Sequence, residues 1–259
     1  MGQDRRWAVI TGASSGIGAE LARVFAQRGY ALVVVARRQD RLKTLQADLT
    51  ASFGATVEIL TLDLESPAAP MALHETLTAR AIPVHTLVNN AGFGLRGKFA
   101  TLPYDRQMAM IELNVTALTR LCRLMLPAMV ERREGGIVNV ASTAAFQAGP
   151  NMALYYATKA FVLSLSEALH EEMKPHNVVV TALCPGPTQT EFSKVADMEM
   201  TRLFKVGTMA PSEVARLGVE GYEAGRAVVV PGATNRLGAI GAQLLPRALT
   251  RRLAGKLQG

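Results

Sequence analysis

Residues Trp7 to Gly29 read WAVITGASSGIGAELARVFAQRG. A short apolar, β-rich run ends in the turn Thr11–Gly18, TGASSGIG, and the residues beyond it follow a helical period. Glycines at such a strand-to-helix junction let the backbone turn tightly, approach a pyrophosphate closely and aim a helix N-terminus at its negative charge. The spacing is G-x-x-x-G-x-G rather than the commoner G-x-G-x-x-G. Its position at the start of a βαβ unit marks the turn as a dinucleotide cradle built from Gly12, Ser14, Ser15, Gly16, Ile17 and Gly18.

The rest of the chain continues the alternation. WAVIT is followed by ALVVVA, VEILTL, HTLVNN, GIVNVAS, VVVTALC and AVVVPG. Between these runs lie helix candidates at Gly18–Arg28, Asp40–Ala51, Asp105–Arg132, Met152–Lys174 and Ser212–Ala224. Strand runs that are apolar throughout, instead of alternating, imply a parallel sheet covered on both faces. The predicted fold is α/β: a Rossmann-like, doubly wound parallel sheet of about seven strands flanked by helices. With 259 residues and 49% apolar content the chain is expected to form one domain, residues 1–259, with a full core.

Bulk features exclude several classes. The N-terminus runs into a strand without a signal-like apolar core, and no unbroken apolar stretch of about eighteen residues occurs, so a cytoplasmic protein is expected. Cys122 and Cys184 sit among apolar residues and read as buried free thiols. His74, His85, His170 and His176 lack metal-ligand spacing, so no metal is expected. Of the net charge of +7, six positives come from Arg226, Arg236, Arg247, Arg251, Arg252 and Lys256, with no acid among them, leaving +1 for everything before. The basic character thus belongs to a tail and not to a nucleic-acid-binding face.

Cofactor preference is legible after the second strand. A dinucleotide without a 2′-phosphate usually meets a carboxylate at that strand's end. Here VVVARR places Arg37 and Arg38 there, with no acid before Asp40. Guanidinium groups match phosphate geometry, so NADP (NADPH) is expected rather than NAD.

TGASSGIG, NNAG at Asn89–Gly92, Asn114 in ELNVTAL, Ser142 in IVNVAS, YYATK at Tyr155–Lys159 and PGPTQT at Pro185–Thr190 occur in this order. As a set they resemble the short-chain dehydrogenase/reductase family, over about Arg6 to Gly232. Helical spacing puts Tyr155 and Lys159 on one face, whereas Tyr156 has Ala160 as its own i+4 neighbour and reads as packing. The resemblance implies hydride transfer between NADP(H) and a carbonyl/alcohol pair. Tyr155 would be the acid/base, its ionisation eased by Lys159, with Ser142 bonding the substrate oxygen and Asn114 relaying protons. It also implies that Lys159 holds the nicotinamide ribose. Asp63 and Leu64 would lie near the adenine, Asn89, Ala91 and Gly92 along the cofactor's centre, and Pro185, Gly186 and Thr188 beside the nicotinamide. Many NADP-preferring relatives carry Lys or Arg just before the middle glycine of the first motif; here Ser15 stands there, which leaves preference to Arg37 and Arg38.

The family's mobile lid corresponds to residues 189–210, carrying Phe192, Val195, Met198, Met200, Leu203, Phe204, Val206 and Met209. Such a methionine-rich surface, with Phe93, Phe146 and Met152, suits an apolar, acyl or ring-bearing carbonyl, or simply closes on the core. The apolar character of 152–174 implies cover from a second subunit, giving a homodimer or homotetramer through helices 105–132 and 152–174. The tail 235–259 spaces Leu237, Ile240, Leu244, Leu245, Leu249, Leu253 and Leu257 helically among its basic residues, a pattern that permits peripheral membrane contact or a subunit contact, with Pro246 interrupting it. Two rival readings are weighed: a non-catalytic NADP-binding regulatory module, which would need a broken constellation, and an extended epimerase, which would need more than the 75 residues after Cys184.

Overall fold

The computed structural model describes residues 6–191 and 207–258. Seven strands form one parallel sheet in the order β3-β2-β1-β4-β5-β6-β7, each at one of the seven predicted runs. They are β1 (Trp7–Thr11), β2 (Ala31–Ala36), β3 (Val57–Thr61), β4 (Val84–Asn89), β5 (Gly136–Val140), β6 (Val179–Leu183) and β7 (Val228–Val229). β1 and β2 pair in continuous register, as in Val9↔Val33 and Ile10↔Val34, whereas the β1–β4 ladder shifts by one residue between Trp7 and Ala8.

Period-two geometry explains why the central runs carry no polar alternation. Along β1 and β2, Val9, Val33 and Val35 enter one core, while Ala8, Ile10, Leu32 and Val34 enter the other. Both faces are covered, so both must be apolar. The second core is closed by Leu21 and Phe25 of α1 (Gly16–Gln27), by Leu42, Leu45 and Leu49 of α2 (Gln39–Phe53), and by Val214 and Val219 of a later helix, Pro211–Glu223. The first is closed by α3 (Ala69–Ala79) through Leu73 and Leu77, and by α5 (Leu118–Arg132) and α6 (Ala153–Met173). β3 is one of the two edge strands, which is why it tolerates Glu58, paired at 2.8 Å with Arg80.

The single helix expected at Asp105–Arg132 is divided. It runs as α4 (Tyr104–Ile111), a π-helical turn Glu112–Ala117, and α5. Tyr104–Arg132 is long and apolar enough by composition to cross a membrane, but its buried residues Leu121, Cys122, Met125 and Met129 belong to the core against the sheet. Helix α6 packs on the sheet through one face and leaves the other open in the single chain. Ala153, Ala157, Ala160, Phe161, Ser164 and Ala168 are exposed at helical spacing, small or apolar, while Tyr155, Lys159, Val162 and Ser166 point inward. Beyond α7 (Pro211–Glu223) the chain ends in α8 (Ala233–Leu244) and α9 (Arg247–Gln258), broken at Pro246 as expected.

The connection from β3 crosses back to β4 on the other side of β1. At that reversal the loops leaving β1 and β4 diverge, which opens a crevice at the carboxyl edge of the sheet.

Candidate active site

Thr11, the last residue of β1, ties the crevice together. Its hydroxyl donates to the Val88 carbonyl at 3.2 Å and accepts from the Asn90 and Ala91 N–H groups at 3.0 Å each. The Asn90 amide in turn donates to the carbonyls of Thr11 (3.0 Å) and Gly12 (3.1 Å). Gly12 and Gly16 hold φ of +65° and +56°, the left-handed region that glycine enters without penalty. Gly18 is needed for a different reason: a Cβ there would stand 2.4 Å from both the Gly12 oxygen and the Asn90 amide nitrogen. Ser15 caps α1 in extended conformation without a side-chain capping bond, and the first turn carries no acid, so the helix's positive end is uncompensated from within.

A cleft of about 460 Å³ runs from this turn along the sheet's carboxyl edge. Of the predicted positions it is lined by Gly12, Ser14, Ser15, Gly16, Ile17, Arg37, Arg38, Asp63, Leu64, Ala91, Gly92, Ser142, Tyr155, Lys159, Pro185, Gly186 and Thr188. Three predicted residues do not line it. Gly18 lies behind the turn as a close-packing position. Asn89, the last residue of β4, turns inward and donates to Asn139 at 2.9 Å and Cys122 at 3.3 Å; strand alternation gives the cleft to Asn90 instead. Asn114 is also buried behind the wall, in the π-helical turn, and its side-chain amide is spent on the Phe93 backbone (2.9 and 3.1 Å) and Thr158 (3.2 Å). It braces the Gly92–Phe93 segment, and its amide oxygen stands on the same side of Gly92 as the Lys159 amine.

One end of the cleft is cationic. Arg38 Nη2 donates to Ser15 Oγ at 2.9 Å and Ser14 Oγ at 3.1 Å, and its Nη1 pairs with Glu191 at 2.8 Å. Arg37 is turned the other way, to Glu65 at 2.9 Å and Asp63 at 3.8 Å, and Glu65 is shared with Arg106 at 3.3 Å. The two arginines that the sequence presents as equivalent are therefore held differently.

The other end is buried. The Ser142 hydroxyl accepts from the Ala144 N–H at 3.1 Å, which fixes it at the head of a short 3₁₀ turn, Thr143–Phe146. Tyr155 and Lys159 are 7% and 6% exposed on one face of α6. Burial pushes the Tyr155 phenol well above its ordinary value, and a hydrogen bond with Ser142 pulls it part of the way back. The expected easing of its ionisation by Lys159 is not what dominates: Nζ lies 5.8 Å from the ring centroid and donates to the Val140 carbonyl at 2.8 Å. Burial lowers Lys159 itself to about 8. Tyr156 packs on Gly149, where a Cβ would meet its ring at 2.4 Å, and also reaches the cleft.

The sequence reading missed Asn90, Glu65, Arg106, Glu191 and Ala254 of the tail, all of which line the cleft. Alternation in β4 could have found Asn90; the others carry no local signal. Cys122 and Cys184 are free and buried, with thiols pushed up to about 12. No cluster of metal-ligating side chains occurs among the described residues. The expected lid lies, over 192–206 with Phe192, Val195, Met198, Met200, Leu203, Phe204 and Val206, outside the described residues.

The donor set fits a phosphorylated dinucleotide: an uncompensated helix N-terminus behind two positive-φ glycines, then a guanidinium with two hydroxyls. Strand order and cleft together define a dinucleotide-binding α/β protein. The family model for short chain dehydrogenases matches residues 6–200, and the chain belongs to that family. It is 34% identical over 193 residues to a very-long-chain 3-oxoacyl-CoA reductase of Pyrenophora tritici-repentis, a match covering 73% of this chain but only 57% of that protein's length. A putative ketoacyl reductase of Streptomyces coelicolor is 32% identical over 257 residues, 92% of this chain and 98% of that one. Among solved structures, a short-chain dehydrogenase from Sphingobium yanoikuyae in complex with NADPH superposes with a TM-score of 0.83 at 37% identity, covering 91% of this chain and 92% of that one.

Proposed function

We propose that this chain is an NADPH-dependent reductase of a ketone or aldehyde bearing an apolar or acyl group. The observation that carries this reading is the convergence of Ser142, Tyr155 and Lys159 on the end of the cleft opposite the Arg38–Ser14–Ser15 cluster. The similarity to ketoacyl reductases and to an NADPH complex supports it.

The nicotinamide, when bound, supplies the hydride. Tyr155 then acts as general acid, giving its phenolic proton to the carbonyl oxygen as negative charge develops there. A phenol held in its neutral form by burial suits that direction of reaction. Ser142, oriented by the Ala144 N–H, donates a second hydrogen bond to the same oxygen, which stabilises the developing alkoxide. The Val140 carbonyl takes one of Lys159's three N–H donors and fixes the amine under the cleft, where it holds the ribose hydroxyls and restores the Tyr155 proton. Asn114 keeps Gly92 and Phe93 in place; its amide oxygen would lie 2.9 Å from a Cβ at Gly92, so no larger residue fits between it and Lys159. In this reading Asp63 and Leu64 flank the adenine, and Pro185, Gly186 and Thr188 flank the nicotinamide.

The test is NADPH oxidation, followed by the loss of reduced-nicotinamide absorbance, over 3-oxoacyl thioesters, open-chain ketones, aldehydes and steroid-like ring ketones. Turnover of any class that disappears in Tyr155→Phe supports the reading. Tight NADPH binding with no turnover of any carbonyl would favour a regulatory NADP-binding module.

Two surfaces support finer statements. The open face of α6, with Ala157, Ala160, Phe161 and Ser164, is the surface we assign to a second copy of the chain, together with α4 and α5; sedimentation tests it, and a monomer at micromolar concentration rejects it. On α8 and α9, Leu237, Ile240, Leu244, Leu249 and Leu253 are exposed among arginines with no acid nearby in sequence, which supports peripheral contact with anionic lipid. Vesicle co-sedimentation of the full chain against one ending at Thr234 decides that point.

A further inference from the structure

Arg38 has its two nitrogens in different company. Nη2 sits on the hydroxyls of Ser14 and Ser15, as a phosphate-binding guanidinium would, but Nη1 is engaged at 2.8 Å by the carboxylate of Glu191. That carboxylate also faces Arg41 at 3.7 Å. Two guanidinium groups, those of Arg38 and Arg41, are thus arranged around an anion that the chain itself provides. We propose that Glu191 is an internal stand-in for the cofactor's 2′-phosphate, and that it sets how strongly NADPH is preferred by competing with that phosphate for Arg38. The inference rests on the NADPH reading above and concerns the same site.

Charge explains why the exchange runs toward the cofactor. A carboxylate brings one negative charge to two guanidinium groups; a phosphate brings nearly two, with three acceptor oxygens that can take Arg38, Arg41 and a serine hydroxyl together. NADH carries no group for this position, so it binds with Glu191 still on Arg38 and displaces nothing. Glu191 therefore weakens NADPH binding selectively. Arg37 provides the contrast within the same cleft: its partner Glu65 is also held by Arg106 and is largely buried, so that trio has no free exchange to make.

The ion pair is half-exposed on both sides, 42% each, which keeps its contribution modest. For Glu191→Gln the NADPH dissociation constant should fall by about fivefold, the size expected of one solvent-screened ion pair. The experiment titrates wild type and Glu191→Gln with NADPH, NADH and 2′-AMP, by calorimetry or by nicotinamide fluorescence. The expected result is tighter NADPH and 2′-AMP binding with NADH unchanged, and loss of the gain when Glu191→Gln is placed in an Arg38→Met background. Equal tightening of NADPH and NADH would mean that only general surface charge has changed, and it overturns the proposal. So does weaker NADPH binding, which would make Glu191 a positioning residue for Arg38, and so does no change. A wild type that binds NADH as tightly as NADPH instead rejects the underlying cofactor reading, independently of what Glu191→Gln does.

Discussion

Replacing Lys159 with methionine separates what the fold prefers from what the chemistry requires. Burial lowers the amine from its ordinary 10.5 to about 8, so at neutral pH the native state holds a desolvated ammonium. That gap corresponds to about 3 kcal/mol of lost stability in the ligand-free protein at neutral pH. The Val140 carbonyl would lose its 2.8 Å donor in the variant, a cost of about 1–3 kcal/mol. The two effects oppose, and Lys159→Met is expected to be as stable as wild type or slightly more so at pH 7, yet inactive. The pH dependence isolates the first effect. The unfolded chain keeps the proton to about 10.5 and the native state only to about 8, so between those values the unfolded state binds more protons and raising pH favours folding. Below about 8 the penalty is constant. The stability difference, variant minus wild type, should thus be flat below pH 8 and then fall by about 1.4 kcal/mol per pH unit up to about 10.5. Cys122 and Tyr222 also titrate at altered pH, but they are common to both proteins and cancel in the difference; the Cys184 thiol is coupled to Lys159, so both proteins are compared in a Cys184→Ala background. Denaturant unfolding of both proteins from pH 6 to 10, without dinucleotide, measures it. A difference independent of pH would refute the claim that Lys159 is desolvated.

Tyr155→Phe should lower kcat by about 10²- to 10⁴-fold, the range for a lost general acid, with NADPH affinity and melting temperature retained; residual turnover above a tenth of wild type would remove Tyr155 from its role. Arg38→Met should weaken NADPH by about 10- to 100-fold, the size of one or two charge-assisted hydrogen bonds, and Arg37→Met much less, because Arg37 is turned to Glu65. Equal losses for NADH would contradict this, and calorimetric titration reads it. Gly18→Ala drives a Cβ to 2.4 Å from the Gly12 carbonyl and disturbs both Asn90 bonds, so a loss of about 2–4 kcal/mol and roughly 5–15 °C in Tm is expected. An unchanged melting curve would show that the turn has slack.

The strands were legible because a parallel sheet covered on both faces leaves a run of apolar residues that no other element requires. ALVVVA at Ala31–Ala36 is buried at every position. Motif positions on backbone turns were equally legible, since Gly12 and Gly16 both sit at positive φ, a demand that the local turn makes by itself. Side-chain direction was harder. Asn89 and Asn90 are identical in type and adjacent, and only the pleat at the end of β4 decides that Asn139 receives one and the cleft the other. Arg37 and Arg38 present the same problem, solved by carboxylates 28 and 153 residues further along the chain, Glu65 and Glu191. The break at Glu112–Ala117 was invisible because a π-helical turn keeps helical composition while shifting the face by one residue. Ala254 could not be assigned to the cleft without knowing where the tail returns.

The two ends of the cleft obey different electrostatics, and this yields a prediction about salt. Arg37 and Arg38 have side chains 62% and 42% exposed, where ions at about 0.1 M screen charges over roughly 10 Å. Tyr155 and Lys159 are nearly sealed from solvent, and their interactions with each other, Ser142 and the Val140 carbonyl are almost beyond the reach of mobile ions. Cofactor selection is therefore placed in the screened region and proton transfer in the unscreened one. Raising NaCl from about 50 to about 500 mM should increase KM for NADPH several-fold while kcat changes by less than about twofold. If kcat fell in parallel with affinity, the chemical step would have to depend on the surface cations, and the division of labour argued from burial would fail. If neither moved, the Arg38 cluster would not be binding the phosphate through charge, because a half-exposed guanidinium cannot escape screening.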